Sequence, residues 1–426
     1  MSRAGGQQPV VVVSAMGDTT DVLVGALESA ARGDERAACD SVRGLERDTE
    51  AVLRDFFGSG AEQVHHEIQA NFAELDRMAR AVAVLRSVPD ASRDHFLAHG
   101  ERISAAIVAR ALAARGLPAL AVDSREIMIT DDHFGRARPD EAEIQTRARE
   151  RLLPVCARGE IPVAGGFIGA TRQGETTTLG RGGSDWSAAI LGSALGASAV
   201  EIWTDVGGMM TADPRVVPQA RIIETISFDE ASELAYFGAR VLHPLTLAPA
   251  VEKGIPVRIR NSRRPDLAGT EVRSAASSEF SGVRSIAYKK GISTVNIVTS
   301  RMLMAAGFLR TLFEVFARHE TPVDMVTTSE VSVSVTVDDS SRLEQIRREL
   351  EQLAQVEVAG GRAIVCLVGQ DLKYKPGIAA RIFRAVERIN ILMISQGASR
   401  RNVSFVIEEK DVEEAVRLLH QEFFGC

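Results

Sequence analysis

Small, hydroxylated and cationic residues are concentrated in one stretch, residues 165–215, which reads GGFIGATRQGETTTLGRGGSDWSAAILGSALGASAVEIWTDVGGMMTADPR. Seven glycines lie between residues 165 and 183, and glycine lets the backbone approach a ligand closely. The hydroxyls of residues 176–178 and the guanidinium of Arg181 lie among them, just before a predicted helix that opens at Ser184. A helix N-terminus presents free N–H groups, which suit a carboxylate or a phosphate. An ordinary strand–loop–helix crossover is the alternative, but this density of glycine, threonine and arginine favours an anion-binding site.

A second polar loop follows the strand predicted near the start of the chain. Residues 8–16 (QPVVVVSAM) form a β-branched run, as expected of a strand buried on both faces. The loop after it contains Ser14 and Thr20 and leads to a helix predicted from Val22. Its hydroxyls either bind a ligand at the carboxyl edge of a sheet or cap the helix, and the local pattern favours neither. For Glu101, near another predicted helix start, the pattern alone favours a surface acid that complements the helix dipole.

Strands and helices alternate through residues 9–262, which predicts a mostly parallel α/β sheet. Residues 22–115 are predicted to be almost wholly helical, and the glycine-rich stretch is predicted to be a loop between a strand at 161–164 and a helix that ends at Gly196. Residues 263–284, rich in Ser, Arg, Pro and Gly, are predicted to be a linker.

An internal repeat with a period of roughly seventy residues follows this linker. Each copy has the predicted order β-α-β-β-α, which indicates two ferredoxin-like units. Neither copy contains a cluster of acid, base and nucleophile. The two copies are therefore interpreted as binding modules with a regulatory role.

Composition narrows the class of protein. A chain of 426 residues predicts two or three domains, and the net charge of −7 argues against nucleic acid or an anionic membrane as the main partner. No apolar run approaches the length of about 18 residues that a membrane span needs. The four cysteines are scattered without a CxxC pair, which is typical of reduced thiols in a cytoplasmic protein.

Several motifs, in order along the chain, resemble those of the aspartate kinase family, including the lysine-inhibited class of that family. They are TLGRGGSD at 178–185, WTDVG at 203–207, TADPR at 211–215, FGARVLHP at 237–244, GFL at 307–309, Val323-Asp324 and TTSEV at 327–331. The resemblance covers essentially the whole chain from Val10. It implies an amino-acid kinase domain at 1–262, a linker at 263–284 and two ACT domains at 285–360 and 361–426. It also implies transfer of a phosphoryl group from ATP, as its Mg²⁺ complex, to the side-chain carboxylate of L-aspartate.

The resemblance also implies site residues. Glu101 is expected to pair with the α-ammonium group of aspartate, Arg181 to fork onto a carboxylate, and Asp185 to orient Arg181. The full aspartate-binding set is Ser14, Thr20, Glu101, Arg181 and Asp185. The nucleotide set is Thr204, Asp205, Met210, Arg215, Arg240 and Val241, with Met210 in place of an aromatic residue that is often found there. The catalytic set is Arg181, Asp205 and Arg240, and no metal site of the protein's own is predicted.

The regulatory half carries a further implied set, for lysine as an allosteric inhibitor. It consists of Met302, Phe308, Leu309, Asp324, Ser329 and Glu330. Asp324 and Glu330 would offer negative charge to a diamino ligand. ACT modules pair across subunits, so a homodimer or a tetramer is expected.

One departure from the family concerns catalysis. The family begins with Lys-Phe-Gly-Gly-Thr-Ser upstream of the first strand found here, whereas this chain begins MSRAGGQQ and has no lysine before Lys253. Phosphoryl transfer depends on positioning and electrostatics, to which that lysine contributes. Three hypotheses follow: a sequence that lacks the first strand, a catalytically impaired paralogue that serves as an amino-acid-sensing subunit, or an active kinase in which Arg172, Arg181 or Arg240 replaces the lysine.

Overall fold

The computed structural model describes residues 8–238, 246–274, 282–299 and 307–425. The chain divides into two compact units, of which the first comprises 1–200 and 245–257, and the second 201–244 and 258–426. Each unit has its own hydrophobic core.

The helices of the described residues are α1 (Thr19–Ala31), α2 (Glu35–Phe57), α3 (Ala61–Leu85), α4 (Asp90–Leu97), α5 (His99–Ala114), α6 (Glu141–Ala157), α7 (Gly183–Leu195), α8 (Phe228–Tyr236), α9 (Ala248–Glu252), α10 (Phe308–Arg318), α11 (Leu343–Leu350), α12 (Ile378–Ala385) and α13 (Val412–Phe424). Within the described part of the chain, none of these helices is both long enough and apolar enough to cross a membrane.

The strands are β1 (Val11–Val13), β2 (Ala119–Val122), β3 (Ile129–Thr130), β4 (Ile161–Gly165), β5 (Ile168–Thr171), β6 (Thr176–Thr178), β7 (Val200–Thr204), β8 (Thr225–Ser227), β9 (Val257–Asn261), β10 (Thr270–Arg273), β11 (Gly282–Val298), β12 (Val326–Thr328), β13 (Ser332–Val337), β14 (Gln355–Gln370), β15 (Met393–Gln396) and β16 (Asn402–Glu408).

Helices α1 to α3 form a layer of the first unit because each carries apolar residues at three- to four-residue spacing. Val42 and Leu45 of α2 are buried in one core with Ile68 and Leu75 of α3. The prediction that this region is almost wholly helical is confirmed. The first helix begins at Thr19, three residues earlier than predicted.

The parallel sheet of the first unit has the order β1-β4-β2. Val12 pairs with Ala164, and Ala121 pairs with Val163. All of β4 is buried, whereas β1 is only half-buried. Val10 and Val12 pack against one hydrophobic core, and Val11 and Val13 pack against another, so both faces of β1 are covered as predicted. Its partial exposure comes from its place at the edge of the described sheet.

The glycine-rich stretch contains an antiparallel hairpin rather than a continuous loop. Ile168 of β5 pairs with Thr178 of β6, and β3 runs parallel to β5, giving a second sheet of order β3-β5-β6. The prediction of a loop here is wrong because a run of three β-branched threonines favours extended backbone. Thr177 and Thr178 are almost fully buried, so the hairpin fixes the threonines in place.

The second unit contains most of a four-stranded sheet of order β7-β9-β10-β8. Strand β10 runs parallel to β8, with Val272 opposite Ile226. It lies inside the segment predicted to be a linker, and that prediction is wrong here because the alternating residues Thr270 and Val272 are buried in the sheet. The helix that follows β8 opens with a capping box between Ser227 and Glu230, as is typical of a Ser-x-x-Glu sequence.

The two copies of the repeat share one antiparallel sheet of order β12-β13-β11-β14-β16-β15. Strands β11 and β14 run through both copies, so that Val295 pairs with Val358 in the first copy and Tyr288 with Val365 in the second. Helices α10 and α11 cover the first copy, and α12 and α13 cover the second. The order β-α-β-β-α is confirmed, and the boundary predicted after residue 360 falls within β14.

Candidate functional site

Three segments of the first unit meet at the carboxyl end of β4. A Cβ atom at Gly165 would lie 3.0 Å from the Cβ of Glu101, and one at Gly166 would lie 2.7 Å from the Cα of Ser184. A Cβ atom at Gly100 would lie 2.9 Å from the Cβ of Ala15. Only glycine allows such close contacts. The structure thus brings together the loop after β1, the start of α5 and the start of α7, which carry the predicted aspartate-binding residues.

Glu101 is buried at this meeting point, with 4% of its surface exposed. The backbone N–H of Ala15 donates to its Oε1 atom at 3.2 Å, whereas Oε2 has no hydrogen-bond partner among the described residues. Burial raises the pKa of Glu101 to about 7. The interpretation of Glu101 as a surface acid is therefore wrong, because the side chain points inward from the first turn of α5. A buried carboxylate with one free oxygen atom is suited to bind a cationic group.

Asp94 holds the glycine-rich stretch in place. It is 1% exposed, and its carboxylate accepts hydrogen bonds from the backbone N–H groups of Gly135 (2.8 Å) and Thr178 (2.7 Å) and from the Thr178 hydroxyl (2.9 Å). Burial raises its pKa, and these hydrogen bonds oppose that shift. The sequence analysis missed Asp94. The available signal was an acid beside buried apolar residues of α4, Phe96 and Leu97.

The hydroxyls of Ser14 and Thr20 make no hydrogen bond within the part of the chain that the structure describes. The hydroxyl at the start of α1 that does form one belongs to Thr19, which donates to the carbonyl of Met16 at 2.6 Å. Ser14 and Thr20 therefore do not cap the helix, which was one of the two alternatives for this loop. Their binding role remains a prediction that the geometry allows.

Arg181 is exposed just before α7 and, among the described residues, its side chain has neither an ion pair nor a hydrogen bond. Asp185 lies in the first turn of α7, where burial raises its pKa to about 6. No ion pair joins Asp185 to Arg181 in the described structure, so the predicted orienting contact is not present. The guanidinium is free to meet an anion at the helix N-terminus.

The nucleotide residues that the structure describes lie in the second unit. Thr204 ends β7, and its hydroxyl donates to Asp205 Oδ1 at 3.1 Å. The side chain of Asn261 donates to the backbone carbonyl of Asp205 at 3.0 Å, so the loops after β7 and β9 are joined. The backbone carbonyl of Met210 accepts from the hydroxyl of Ser285 at 2.7 Å.

Asp213 anchors the TADPR motif and was missed by the sequence analysis. It forms an ion pair of 2.8 Å with the exposed Arg215 and accepts a hydrogen bond of 2.9 Å from the Tyr288 hydroxyl. The hydrogen bond from Arg215 lowers the pKa of Asp213 to about 2. Arg240 and Val241 lie outside the described residues. The catalytic set, which also includes Arg181 and Asp205, stays a prediction.

Asp324 is the buried acid of the predicted lysine-binding set. Its Oδ1 atom accepts from the Tyr236 hydroxyl at 2.8 Å and from Lys289 Nζ at 3.0 Å, and Lys289 also contacts Asp338 Oδ2 at 2.7 Å. The Oδ2 atom of Asp324 has no hydrogen-bond partner among the described residues. One oxygen of this carboxylate is therefore available to a second cation.

The other predicted lysine-binding residues surround the start of α10 and the turn after β12. Phe308 and Leu309 begin α10, and Ser329 shares a hydrogen bond of 2.6 Å with Ser332. Glu330 is exposed in the same turn. Met302 lies outside the described residues.

Comparison with known proteins identifies the family to which each part of the chain is similar. A model described as "Amino acid kinase family" matches residues 1–261, and one described as "ACT domain" matches residues 295–345 and 365–423. The chain is 38% identical to the lysine-sensitive aspartokinase 3 of Escherichia coli (strain K12), over 97% of this chain and 92% of that protein. It matches the structure of E. coli aspartokinase III with lysine and aspartate, and that with aspartate and ADP, with TM-scores of 0.84 and 0.78 at 38% identity, covering 97% of this chain and 92% and 93% of those chains. The chain belongs to the aspartokinase family.

These matches confirm the predicted fold class and do not favour a subunit that only senses an amino acid, because they span the kinase part and the regulatory part. Two of the three arginines considered as replacements for the family's lysine are described. Arg172 is paired with Asp140 at 2.7 Å, whereas Arg181 has no ion pair among the described residues.

The first prediction concerns Asp94. In the Asp94→Ala variant, the backbone N–H groups of Gly135 and Thr178 lose their acceptor, which leaves buried donors unpaired at a cost of about 1–3 kcal/mol. We expect a lower midpoint of thermal unfolding by circular dichroism than for Asp90→Ala, a matched change at an exposed position of the same helix. Equal midpoints for the two variants would contradict the anchoring role.

Proposed function

We propose that this chain transfers the γ-phosphoryl group of ATP to the β-carboxylate of L-aspartate, giving 4-phospho-L-aspartate and ADP, and that lysine inhibits the reaction. Support comes from the E. coli aspartokinase III structures, which are described as complexes with lysine, aspartate and ADP. In this chain, the proposal depends on the free Oε2 atom of the buried Glu101, at the point where the three segments meet.

Aspartate carries one ammonium group and two carboxylates, and the first unit offers a partner for each kind of charge. Glu101 takes the α-ammonium group, and binding of that cation favours the ionised carboxylate, which burial alone disfavours. Arg181 and the N-terminus of α7 take the α-carboxylate. Ser14 and Thr20 offer hydroxyls to the remaining oxygen atoms. The β-carboxylate then remains free to act as the nucleophile.

In the transfer step, an oxygen of the β-carboxylate forms a bond to the γ-phosphorus, and the bond from that phosphorus to the β,γ-bridging oxygen breaks. The electron pair leaves with ADP, so no proton transfer is required. The protein contributes position and positive charge. Arg181 and Arg240 are the proposed sources of that charge. When bound with ATP, Mg²⁺ neutralises phosphate charge, and Thr204 and Asp205 offer oxygen ligands of the kind it prefers.

Thr204, Asp205, Met210, Arg215, Arg240 and Val241 form the proposed nucleotide site. Joining the loops after β7 and β9 through Asn261 and Asp205 presents oxygen atoms at the carboxyl end of the strands, where ligands of open α/β sheets bind. Arg215 is paired with Asp213, but its side chain is 85% exposed, so it can also contact a phosphate.

The proposed lysine site uses Asp324, Ser329, Glu330, Phe308, Leu309 and Met302. Asp324 Oδ2 supports this assignment, because it is a buried carboxylate oxygen without a hydrogen-bond partner among the described residues.

We also propose a homodimer or tetramer through the ACT domains and a cytoplasmic location. The buried free thiols of Cys39, Cys156 and Cys366 support a reducing compartment.

The second prediction tests the function with an aspartyl hydroxamate assay. We expect product that depends on both ATP and aspartate. In Glu101→Gln, loss of a charge-assisted hydrogen bond should raise the KM for aspartate roughly 10- to 100-fold, with a smaller change in kcat.

Glu150→Gln is the control for this assay, because Glu150 is exposed on α6. It should leave both constants unchanged. An unchanged KM in Glu101→Gln would remove Glu101 from the aspartate site, and no ATP-dependent product from the unaltered protein would reject the proposed reaction.

The third prediction concerns lysine. Asp324→Asn removes the negative charge that faces the effector, so calorimetry should show lysine affinity reduced roughly 10-fold or more. Glu330→Gln should have a smaller effect because Glu330 is exposed. Asp339→Asn, an exposed acid just beyond Asp338, is the control and should bind lysine normally. Normal affinity in Asp324→Asn would place the effector elsewhere.

The fourth prediction concerns assembly. Exposed apolar side chains of the first repeat copy include Val298 (46%), Leu309 (40%), Val326 (40%) and Val331 (38%), which supports pairing through this copy. Val326→Glu, on the edge strand β12, should lower the mass measured by light scattering. The control is Val84→Glu, at a more exposed position on α3 (78%), which should not alter the mass. Two variants of equal mass would exclude this surface from the interface.

A further inference from the structure

A polar cluster outside the proposed substrate site contains Glu74 of α3, His95 of α4 and His99 of α5. Each of these residues offers one ligand atom within 4.8 Å of the others. The two histidines are four residues apart, and their rings lie 5.4 Å apart between centroids. They lie on consecutive helices, and the turn between α4 and α5 brings the two imidazole rings together.

His99 presents an unused nitrogen atom to this cluster. The side-chain N–H of Asn71 donates to the carbonyl of Ile68 at 3.3 Å, which turns its Oδ1 atom towards His99 Nδ1, 3.0 Å away. A proton on Nδ1 satisfies this shorter contact and leaves a lone pair on Nε2, whereas the longer contact from an Arg102 N–H group to Nδ1 (3.3 Å) favours the other tautomer. His99 is fully buried, its Nε2 has no hydrogen-bond partner among the described residues, and Glu74 Oε2 lies 3.7 Å away. Two electron-rich atoms thus face each other, and a cation between them would be attracted to both.

His95 can change its protonated nitrogen without losing its contacts. Its Nε2 lies 2.8 Å from Glu74 Oε1, and its Nδ1 lies 3.0 Å from the hydroxyl oxygen of Thr176. Because a threonine hydroxyl both donates and accepts, it can serve either form of the ring. With the proton on Nδ1, His95 donates to Thr176 and frees Nε2 to bind a metal ion. An outer hydrogen bond of this kind orients most metal-binding histidines.

We propose that Glu74, His95 and His99 bind a divalent transition-metal ion such as Zn²⁺ through one carboxylate oxygen and two imidazole nitrogens. This ligand set suits zinc, whereas Mg²⁺ and Ca²⁺ prefer oxygen ligands alone. The side chains of Glu74 and His95 are 35% and 29% exposed, which gives water access to a fourth position.

The charged groups that face the cluster also set a limit on its affinity. Arg125 is neutralised by Asp123, with which it forms an ion pair of 2.6 Å. The guanidinium of Arg102 lies 3.3 Å from His99 Nδ1 and opposes an added cation. Affinity should therefore be lower than in a structural zinc site made of cysteines.

The bound ion would join α3, α4 and α5 to β6, which Thr176 begins. It would thus brace the start of α5 that carries Glu101 and the strand that Asp94 anchors. The role is structural, and the proposal does not depend on the proposed reaction.

A second cluster, Glu46, Glu50 and His65, provides a comparison within the same protein. There, His65 Nε2 lies 3.3 Å from a carboxylate oxygen of each glutamate and, like His99 Nε2, has no hydrogen-bond partner among the described residues. This cluster lacks a second imidazole and is not proposed as a site.

The fifth prediction tests the metal site with Zn²⁺ alone. The full-length protein is stripped with a chelator and titrated with Zn²⁺ against a chromophoric chelator, without nucleotide or aspartate. We expect one equivalent bound and a rise in the midpoint of thermal unfolding. His95→Gln and Glu74→Gln should each weaken binding at least 10-fold, whereas His65→Gln and His133→Gln, at an exposed histidine, should retain it.

Replacing Zn²⁺ with Co²⁺ provides a readout that does not depend on the folding of variants. The visible spectrum of the unaltered protein should show four- or five-coordinate nitrogen and oxygen ligation without a thiolate charge-transfer band. No stoichiometric binding, a thiolate band, or retention of the equivalent by His95→Gln would each overturn the proposal.

Discussion

The substrate site depends on the close approach of backbone segments at the carboxyl end of β4. At Gly165 and Gly166, any side chain would collide with the start of α5 or of α7. Because glycine has no side chain, the two helices can begin next to a fully buried strand. The helix termini then offer a carboxylate and free N–H groups to one small space. The chemistry proposed here follows from that packing, since neither helix start could otherwise reach the strand end.

Two buried acids of this region have different roles because their carboxylates accept different numbers of hydrogen bonds. Asp94 accepts three hydrogen bonds and is satisfied within the fold. Glu101 accepts one from Ala15, and its second oxygen has no hydrogen-bond partner among the described residues. Desolvating a carboxylate costs free energy unless a partner compensates. The fold compensates that cost at Asp94, whereas at Glu101 we propose that a ligand with a positive charge does so.

Features set by local sequence could be predicted, and features set by distant contacts could not. The helices of residues 22–115, the capping box at Ser227 and the end of α7 at Gly196 depend on neighbours within a few residues, and each is confirmed. The burial of Glu101 depends on Gly165, far along the chain, and its pattern indicated a surface acid instead. Likewise, β10 is a strand because β8 and β9 accept it into a sheet, although its surroundings read as a linker. Ordered motifs predicted site residues, but not the partners Asp94, Asp213 and Lys289 that contact them or their segments.

Lys289 also explains how an effector could alter the kinase part. Its ammonium group already occupies one oxygen of Asp324, which Tyr236 shares through its hydroxyl. A lysine ligand that binds the other oxygen brings a second cation to the same carboxylate, and the two cations repel each other. The conformation in which Asp324 has the weakest contact with Lys289 or Tyr236 then binds the effector most tightly. A ligand shifts the population towards the conformation that it prefers. Tyr236 ends α8, four residues before Arg240 in the sequence, so the proposed lysine site and the proposed nucleotide site share one stretch of chain.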